Sequence, residues 1–165
     1  MEKKYKLIEE SINYCSKILY RIEALKDFGY VKKGDKGGFV ESDDNLSQKG
    51  NCWVFDNAWV CGNAKVFGNA WVYDNARVCG AWVYGNAVVC GNAEIKNNTD
   101  YIVFKNWWSS GRYFTWTKSN NMWRVGCFYG TGEELIAKAY KDSEISGREY
   151  KRVVNYVESI LQDNK

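Results

Sequence analysis

The middle of the chain repeats one six-residue pattern of apolar and turn-forming residues. A typical unit begins with an aliphatic residue, continues with Gly-Asn or Asp-Asn, and has alanine in its fifth place. The aliphatic residues are Val54, Val60, Val66, Val72, Val78, Val83, Val89 and Ile95, and the alanines are Ala58, Ala64, Ala70, Ala76, Ala87 and Ala93. A period this short predicts a parallel β-helix, in which each unit is one strand and one corner. We expect the aliphatic and alanine side chains to point inward, and the Gly-Asn or Asp-Asn pairs to form the corners.

The spacing of the repeat shortens once. The aliphatic residues stand six apart from Val54 to Val78, but only five separate Val78 from Val83, since Gly80-Ala81 lacks the expected asparagine. We expect one tightened corner at this point. A β-helix also needs covered ends, because its terminal coils expose core and unpaired strand edges. The flanking segments, residues 1–50 and 97–165, are the candidates for that cover.

These units resemble the hexapeptide-repeat, left-handed β-helix family. In that family three units form one triangular coil, so the resemblance implies that residues three units apart stack on each other. The implied stacks are Trp53 with Trp71, Phe55 with Tyr73, Trp59 with Arg77, Cys61 with Cys79, and Phe67 with Tyr84. Homotrimers are common in the family, so the resemblance also implies self-association.

Large aromatic residues fill the outward places of the repeat, where a solvated face normally carries polar side chains. A continuous exposed apolar patch is typical of an interface. We therefore predict an oligomer or partner interface that comprises Trp53, Phe55, Trp59, Phe67, Trp71, Tyr73, Trp82 and Tyr84. The alternative is that these ladders only stiffen the coils, or are covered by the ends of the same chain.

The first segment, residues 1–50, is expected to form strands and then the first coil and cap of the β-helix. Tyr5–Ile8 and the alternating Ile18–Leu25 are the predicted strands, and an irregular glycine- and lysine-rich stretch follows at 29–38. Across residues 5–96 the chain is similar to phage- and prophage-encoded hexapeptide-repeat proteins. That likeness rests on Leu19–Gly29, Val31–Ser42, Asn45–Ser47 and Gly50–Val54. It implies a phage or prophage origin.

Beyond the repeat segment, 51–96, a different unit begins. Alternation predicts three antiparallel strands at Tyr101–Lys105, Arg112–Thr117 and Met122–Phe128. Two capping boxes, Thr131 to Glu134 and Ser146 to Glu149, each precede an amphipathic run and so predict two helices. The fold class is therefore mostly β: a left-handed parallel β-helix followed by a small α+β domain of the order βββαα.

The stretch from 101 to 132 is rich in aromatic and basic residues and has no acidic ones. Nucleotides are commonly bound by such sets, because bases stack on rings while phosphates pair with guanidinium groups. The candidate ligand-binding residues are Trp107, Trp108, Arg112, Trp116, Lys118, Trp123 and Arg124. The alternative is that these rings form the core of a small sheet, which needs large side chains.

The composition of the chain limits the reactions that it is expected to catalyse. The chain has 165 residues, a net charge of +3, six cysteines and no histidine. Acyltransferases of the hexapeptide-repeat family use a histidine base, and the related carbonic anhydrases hold zinc with histidines, so neither mechanism is expected. We expect no metal site, no cofactor and no broad nucleic-acid surface.

The same composition bears on location. No apolar run is long enough for a membrane span, and the amino terminus lacks the apolar run of a signal peptide. We expect a cytoplasmic protein without a membrane partner, and reduced cysteines, with Cys61, Cys79 and Cys90 as small apolar substitutes for outward aromatics.

Three functional hypotheses follow. The first is a non-catalytic binding protein of phage origin, an anti-defence protein that sequesters a small phosphorylated or nucleotide signal. The second is a protein–protein inhibitor or structural adaptor that uses the aromatic ladders against a host protein. The third is an atypical acyl-CoA-dependent acyltransferase.

Overall fold

The computed structural model describes the whole chain, residues 1–165, as a parallel β-helix flanked by an N-terminal hairpin and a C-terminal α+β unit. The strands are β1 Tyr5–Tyr14, β2 Lys17–Ala24, β3 Lys36–Val40, β4 Trp53–Val54, β5 Trp59–Cys61, β6 Lys65–Val66, β7 Trp71–Val72, β8 Arg77–Cys79, β9 Trp82–Val83, β10 Val88–Val89, β11 Glu94–Ile95, β12 Tyr101–Lys105, β13 Tyr113–Thr117, β14 Met122–Val125 and β15 Phe128–Gly130. The helices are α1 Gly132–Asp142 and α2 Glu144–Asp163, and a 3-10 turn covers Asp43–Asn45. Neither helix combines the length and the apolar character that a membrane crossing requires.

The β-helix has three faces, and each face is a short parallel sheet. One face contains β3, β5, β8 and β11, the second contains β4, β7 and β10, and the third contains β6 and β9. Leu46 extends the third face by a parallel bridge to Val66. The strands of one face therefore come from successive coils, which confirms the parallel β-helix that the repeat predicts.

The interior of the β-helix is built as the repeat predicts. Every aliphatic residue that opens a unit, from Val54 to Ile95, is completely buried, and the alanines are buried equally well. The corners turn at the residue before each asparagine, where Gly62, Gly68, Asp56 and Asp74 have positive φ. Glycine adopts this backbone without strain, and aspartate tolerates it better than most residues.

The shortened unit keeps the stack in register. Trp53 pairs with Trp71 across 18 residues, whereas the next coil pairs Trp71 with Val88, one residue sooner. Ala81 is fully buried at the tightened corner, and Gly80 before it has a φ of 92°. A missing corner residue is therefore absorbed locally, and the valines beyond it still point inward.

The N-terminal hairpin extends one face of the β-helix and covers part of its outer surface. Strand β1 pairs with β2, and β2 pairs with β3, which is the first strand of a β-helix face. Tyr5 and Phe28 close over the ring of Trp53, and Tyr14 closes over that of Trp59. The first segment thus covers two of the outward tryptophans of the repeat.

Lys4 is a buried contact between the N-terminal segment and the first coil. Its side chain is almost completely buried, its ammonium group donates a 2.9 Å hydrogen bond to the carbonyl oxygen of Cys52, and it lies over the ring of Phe28. Burial lowers the pKa of Lys4, while the neighbouring Cys52 thiol acts in the opposite direction. The lysine therefore supplies a donor to a loop carbonyl that the first coil leaves without a strand partner.

The C-terminal unit is a four-stranded antiparallel sheet in the order β12-β13-β14-β15, with both helices packed on one face. The predicted third strand, Met122–Phe128, is wrong in length, because Gly126 turns the chain at a φ of +57° and Phe128 begins a fourth strand. The predicted start of the second helix is also wrong. Ser143 caps α2, and its hydroxyl accepts a hydrogen bond from the backbone N–H of Ser146.

The other face of this sheet lies on the β-helix. The hydroxyl of Thr115 accepts a 3.0 Å hydrogen bond from the N–H of Val88, and that of Ser119 accepts one of 2.7 Å from Glu94. The C-terminal unit therefore supplies acceptors to strand N–H groups of the last coils. This contact also brings the sheet beside the outward aromatic residues of the repeat.

Two of the cysteines are not free thiols, contrary to the expectation that all are reduced. Cys61 and Cys79 form a disulfide with a Cα–Cα distance of 4.9 Å. They occupy the same place in consecutive coils, where β5 and β8 pair directly. The stack that the family resemblance implies therefore brings the two sulfur atoms together.

Candidate ligand-binding cleft

A cleft of about 700 Å³ opens where the β-helix meets the C-terminal sheet. The β-helix side contributes outward aromatic residues of the second face, and the sheet side contributes two arginines. The residues that line the cleft are Tyr30, Phe55, Trp71, Tyr73, Val88, Arg112, Tyr113, Arg124 and Gly126. A cavity of this size suits a small-molecule ligand, and its lining is mostly apolar with a few convergent charged groups, as is usual for such sites.

The aromatic wall is held rigid by edge-to-face ring contacts. Trp71 lies in β7, and its ring centroid is 5.6 Å from that of Phe55 and 5.6 Å from that of Tyr30, both in T-shaped geometry. Phe55 belongs to the coil below Trp71, whereas Tyr30 comes from the loop between β2 and β3. Such pairs stabilise one another beyond the area that they bury. The wall is therefore preformed by the stacking of coils.

The two arginines lie opposite this wall. Arg124 is half-buried in β14, and its guanidinium carbon is 5.4 Å from the ring centroid of Tyr73. Arg112 precedes β13 and packs against Gly126, where any side chain would collide with the guanidinium group. No acidic residue lines the cleft. Two guanidinium groups without a carboxylate among the lining residues give the cleft a positive charge.

The phenol of Tyr73 is the most perturbed ionisable group of the cleft. Burial raises the pKa of Tyr73, and Cys90 contributes in the same direction while Arg124 opposes it. Its hydroxyl oxygen is buried and has no hydrogen-bond partner in the chain. Tyr73 stays protonated at neutral pH, and no histidine, cysteine or carboxylate lines the cleft. The charged lining therefore consists of two guanidinium groups, set beside aromatic rings.

The predicted ligand-binding residues separate into three groups. Arg112 and Arg124 line the cleft. The prediction that Trp116 and Trp123 bind a ligand is wrong. Both are buried between the sheet and the helices, where they pack on residues such as Leu135 and Val154. No ring face therefore remains for a ligand. The alternative that these rings form the domain core holds for these two tryptophans.

The remaining three predicted residues lie elsewhere. Trp107 is 74% exposed at the turn after β12, and its ring meets that of Trp108 edge to face. Trp108 packs on Phe114 and Tyr150, with its indole N–H buried and unpartnered. Lys118 is exposed beyond the end of β13. None of these three lines the cleft.

The predicted interface residues also divide by position. Phe55, Trp71 and Tyr73 line the cleft. The prediction that Trp53 and Trp59 belong to an interface is wrong. They are 1% and 8% exposed beneath the N-terminal hairpin, and so present no free surface.

The rest of that set lies on the third face. There Phe67 stacks on Tyr84 with ring centroids 5.0 Å apart, and Trp82 meets Phe67 edge to face. Trp82 and Tyr84 are about half exposed, at 49% and 50%. An interface on this face stays a prediction.

Sequence reasoning missed four residues of the cleft, namely Tyr30, Val88, Tyr113 and Gly126. Tyr113 lies on the face of the sheet opposite Trp116, as the alternation of side chains along a strand requires. What the sequence did not reveal is that this face meets the β-helix. Tyr30 is 82% exposed in an irregular loop, and its place at the cleft depends on how the hairpin folds back.

The other charged groups near the repeat have structural roles. The carboxylate of Asp56 accepts a hydrogen bond from the N–H of Asp74, and that of Asp74 accepts one from the N–H of Gly91. In the lysine-rich loop, Lys32 pairs with Asp27 and Lys36 with Glu10. No group of three or more Cys, Asp or Glu side chains is placed to hold a metal ion.

Comparison with known proteins gives a partial likeness. No protein-family model matches the chain. It is similar to the uncharacterised acetyltransferase YdcK of Escherichia coli (strain K12), with 34% identity over 62 residues. That match covers 33% of this chain and 19% of YdcK, so the chain corresponds to about a fifth of the length of this curated relative. The similarity and the β-helix both support the hexapeptide-repeat interpretation of the chain.

Proposed function

We propose that this chain is a non-catalytic binding protein for a small anionic ligand that carries an aromatic ring, of the nucleotide class, held in the cleft between the β-helix and the C-terminal sheet. The single observation that supports this most is the placement of Arg112 and Arg124 opposite Trp71, Tyr73 and Phe55 in one cavity. An aromatic base stacks on such a wall, and a phosphate pairs with guanidinium groups through charge-assisted hydrogen bonds.

Binding without turnover is the mechanism that the lining supports. Proton transfer at neutral pH needs a group whose pKa lies near 7, and the lining consists of tyrosines, apolar residues, glycine and arginines. The raised pKa of Tyr73 removes the most buried phenol from that role. The ligand is therefore expected to leave the cleft unchanged.

Calorimetric titration with AMP tests this proposal. We expect one AMP to bind per chain, and Arg124→Gln or Arg112→Gln to weaken binding about tenfold or more, as loss of a charge-assisted hydrogen bond implies. Lys118→Gln is the matched control, since it removes the same charge from an exposed position outside the cleft, and it should retain the wild-type affinity. Mass spectrometry of the mixture should recover unaltered AMP.

Two results would overturn the proposal. One is that AMP, GMP, CMP and UMP all fail to bind. The other is that the two arginine variants bind as tightly as the Lys118→Gln control. The phage origin that the likeness across residues 5–96 implies stays a prediction, and so do the anti-defence role and assembly into a homo-oligomer or trimer.

A second candidate function is acyl transfer from coenzyme A, and the similarity to YdcK favours it. The β-helix fits the architecture of acyltransferases with hexapeptide repeats. Without histidine, such an enzyme would need another base, and Asp56 and Asp74 are engaged by backbone N–H groups of the next coil. Consumption of acetyl-CoA above the buffer rate, with an acetylated acceptor, would favour this function over simple binding.

A further inference from the structure

The cleft continues along the β-helix into a second cavity of about 430 Å³. The two cavities share Tyr30, Trp71, Val88, Arg112 and Tyr113, so they form one groove. Their remaining walls differ in chemistry. The first cavity adds aromatic rings and Arg124, whereas the second adds Asn51, Asn69, Asn86 and Gly29.

The three asparagines form a column on one edge of the β-helix. Each follows the corner glycine between the third and second faces, in consecutive coils, so neighbouring members are separated by about one strand spacing, about 4.8 Å. The backbone is fixed by the coil above, because the N–H of Asn69 donates a 2.9 Å hydrogen bond to the carbonyl oxygen of Gly85. All three asparagines are exposed.

The other corner columns are arranged differently. At the corners between the second and first faces, Asp56 and Asp74 bond to N–H groups of the following coil. At the remaining column, the Asn45 side chain donates to the carbonyl oxygens of Gly62 and Ala64. The column of Asn51, Asn69 and Asn86 is the one that lines the groove.

We infer that the groove takes a ligand of dinucleotide length, with a phosphodiester at Arg112, one base against the Trp71 and Tyr73 side and the second base edge on Asn69 and Asn86. This inference rests on the proposed function and specifies its ligand class. Arg112 lines both cavities and is therefore the cation placed to meet a phosphate that joins two bases. A side-chain amide offers one acceptor and two donors, which match the edge of adenine. Tyr113, also shared by both cavities, offers a ring beside the second base.

Calorimetric titration of the full chain with AMP and with the linear dinucleotide ApA, which has a single phosphodiester, tests this inference. We expect ApA to bind about tenfold more tightly than AMP, the scale of one bidentate amide–base pair. Asn69→Ala with Asn86→Ala should abolish that difference and leave AMP affinity unchanged. Neither asparagine has positive φ, so alanine is tolerated by the backbone. The matched control is Asn75→Ala with Asn92→Ala, at the same place in the repeat on another column, which should preserve the preference for ApA.

The outcomes separate this inference from the proposed function. If AMP binds and ApA binds no more tightly, the dinucleotide inference is wrong while the nucleotide site stands. If both asparagine pairs reduce binding of AMP and ApA alike, the column has only a structural role and the inference is wrong. If neither compound binds, both the inference and the proposed function are overturned.

Discussion

The β-helix and the C-terminal unit fill their interiors in opposite ways. Valine and alanine stack in register inside the coils, whereas Phe114, Trp116 and Trp123 supply the core under the helices. In a regular solenoid each residue needs to bury only a small area, because every coil repeats the contacts of its neighbour. A small four-stranded sheet lacks this repetition, so a few large rings must bury the necessary area. Aromatic residues are therefore internal in one region and external in the other.

The comparison also explains where the cleft lies. On the β-helix, outward aromatic residues need cover, and two elements share that task. The N-terminal hairpin covers Trp53 and Trp59, and the C-terminal sheet lies against Val88 of the second face. Between the hairpin and the sheet, Trp71, Phe55 and Tyr73 remain accessible and meet the arginines. The cleft is therefore the part of the second face that is left open between the two covering elements.

The strongest challenge to this comparison is to remove a covered outward ring. Trp53 packs against Tyr5 and Phe28, so Trp53→Ala should lower the free energy of unfolding by about 3–5 kcal/mol, as for an internal tryptophan. Trp82→Ala is the control, since Trp82 occupies the same place in the repeat but is 49% exposed, and it should change stability by less than about 1 kcal/mol. Denaturant unfolding measures both. Equal losses in the two variants would show that the hairpin does not decide the role of the ring.

Local periodicity explains which of these features could be predicted from the sequence. It fixes the direction of each side chain relative to the coil, so Val54 to Ile95 point inward as the repeat predicts. The pair Trp59–Arg77 stacks as the family resemblance implies. Local periodicity carries no information on which distant segment covers an outward residue. Trp53 was therefore expected at an interface, and Trp116 in a ligand site, although both are buried within the chain.

The candidate site shows the same limit. Arg112 and Arg124 were singled out because the stretch from 101 to 132 is rich in aromatic and basic residues and has no acidic ones, and both line the cleft. Their opposite wall, from Phe55 to Tyr73, was assigned to a separate surface. The link between the two depends on contacts such as Thr115 with Val88, which join residues 27 apart in the chain. Such pairings are set by tertiary packing and leave no periodic trace.

Removal of the disulfide should have an effect on stability of intermediate size. Joining Cys61 to Cys79 closes a loop of 18 residues between adjacent coils, which on chain-entropy grounds stabilises the fold by about 3 kcal/mol. The double variant Cys61→Ser with Cys79→Ser should be less stable than the oxidised wild type by about that free energy of unfolding. It should be as stable as the wild type when a reductant has opened the disulfide of the wild type. Cys15→Ser, at an exposed free thiol, is the control. Identical stability of oxidised and reduced wild type would contradict the link between coils.

The smallest expected effect is a loss of stability at alkaline pH, caused by a tyrosine at the contact between the two regions. The Tyr101 hydroxyl donates a 2.8 Å hydrogen bond to the carbonyl oxygen of Trp82, and burial raises the pKa of Tyr101 to about 12. Because the folded pKa lies above the usual value of 10.0, this contribution is present below pH 10 and is lost as pH rises from 10 to 12. We expect about 1 kcal/mol of lost stability from this group by pH 11.

Tyr101→Phe is the matched variant, because it keeps the ring and removes the ionisable hydroxyl. Its stability should fall less steeply than that of the wild type between pH 9 and pH 11, as measured by denaturant unfolding at each pH. Parallel pH profiles for the two proteins would exclude Tyr101 as the titrating group.

The most direct test of the central claim is a crystal structure of the protein soaked with AMP. We expect the phosphate to lie within hydrogen-bonding distance of the guanidinium group of Arg112 or Arg124, with the adenine against Trp71 or Tyr73. Well-ordered AMP at another surface, with the cleft free of ligand, would contradict it.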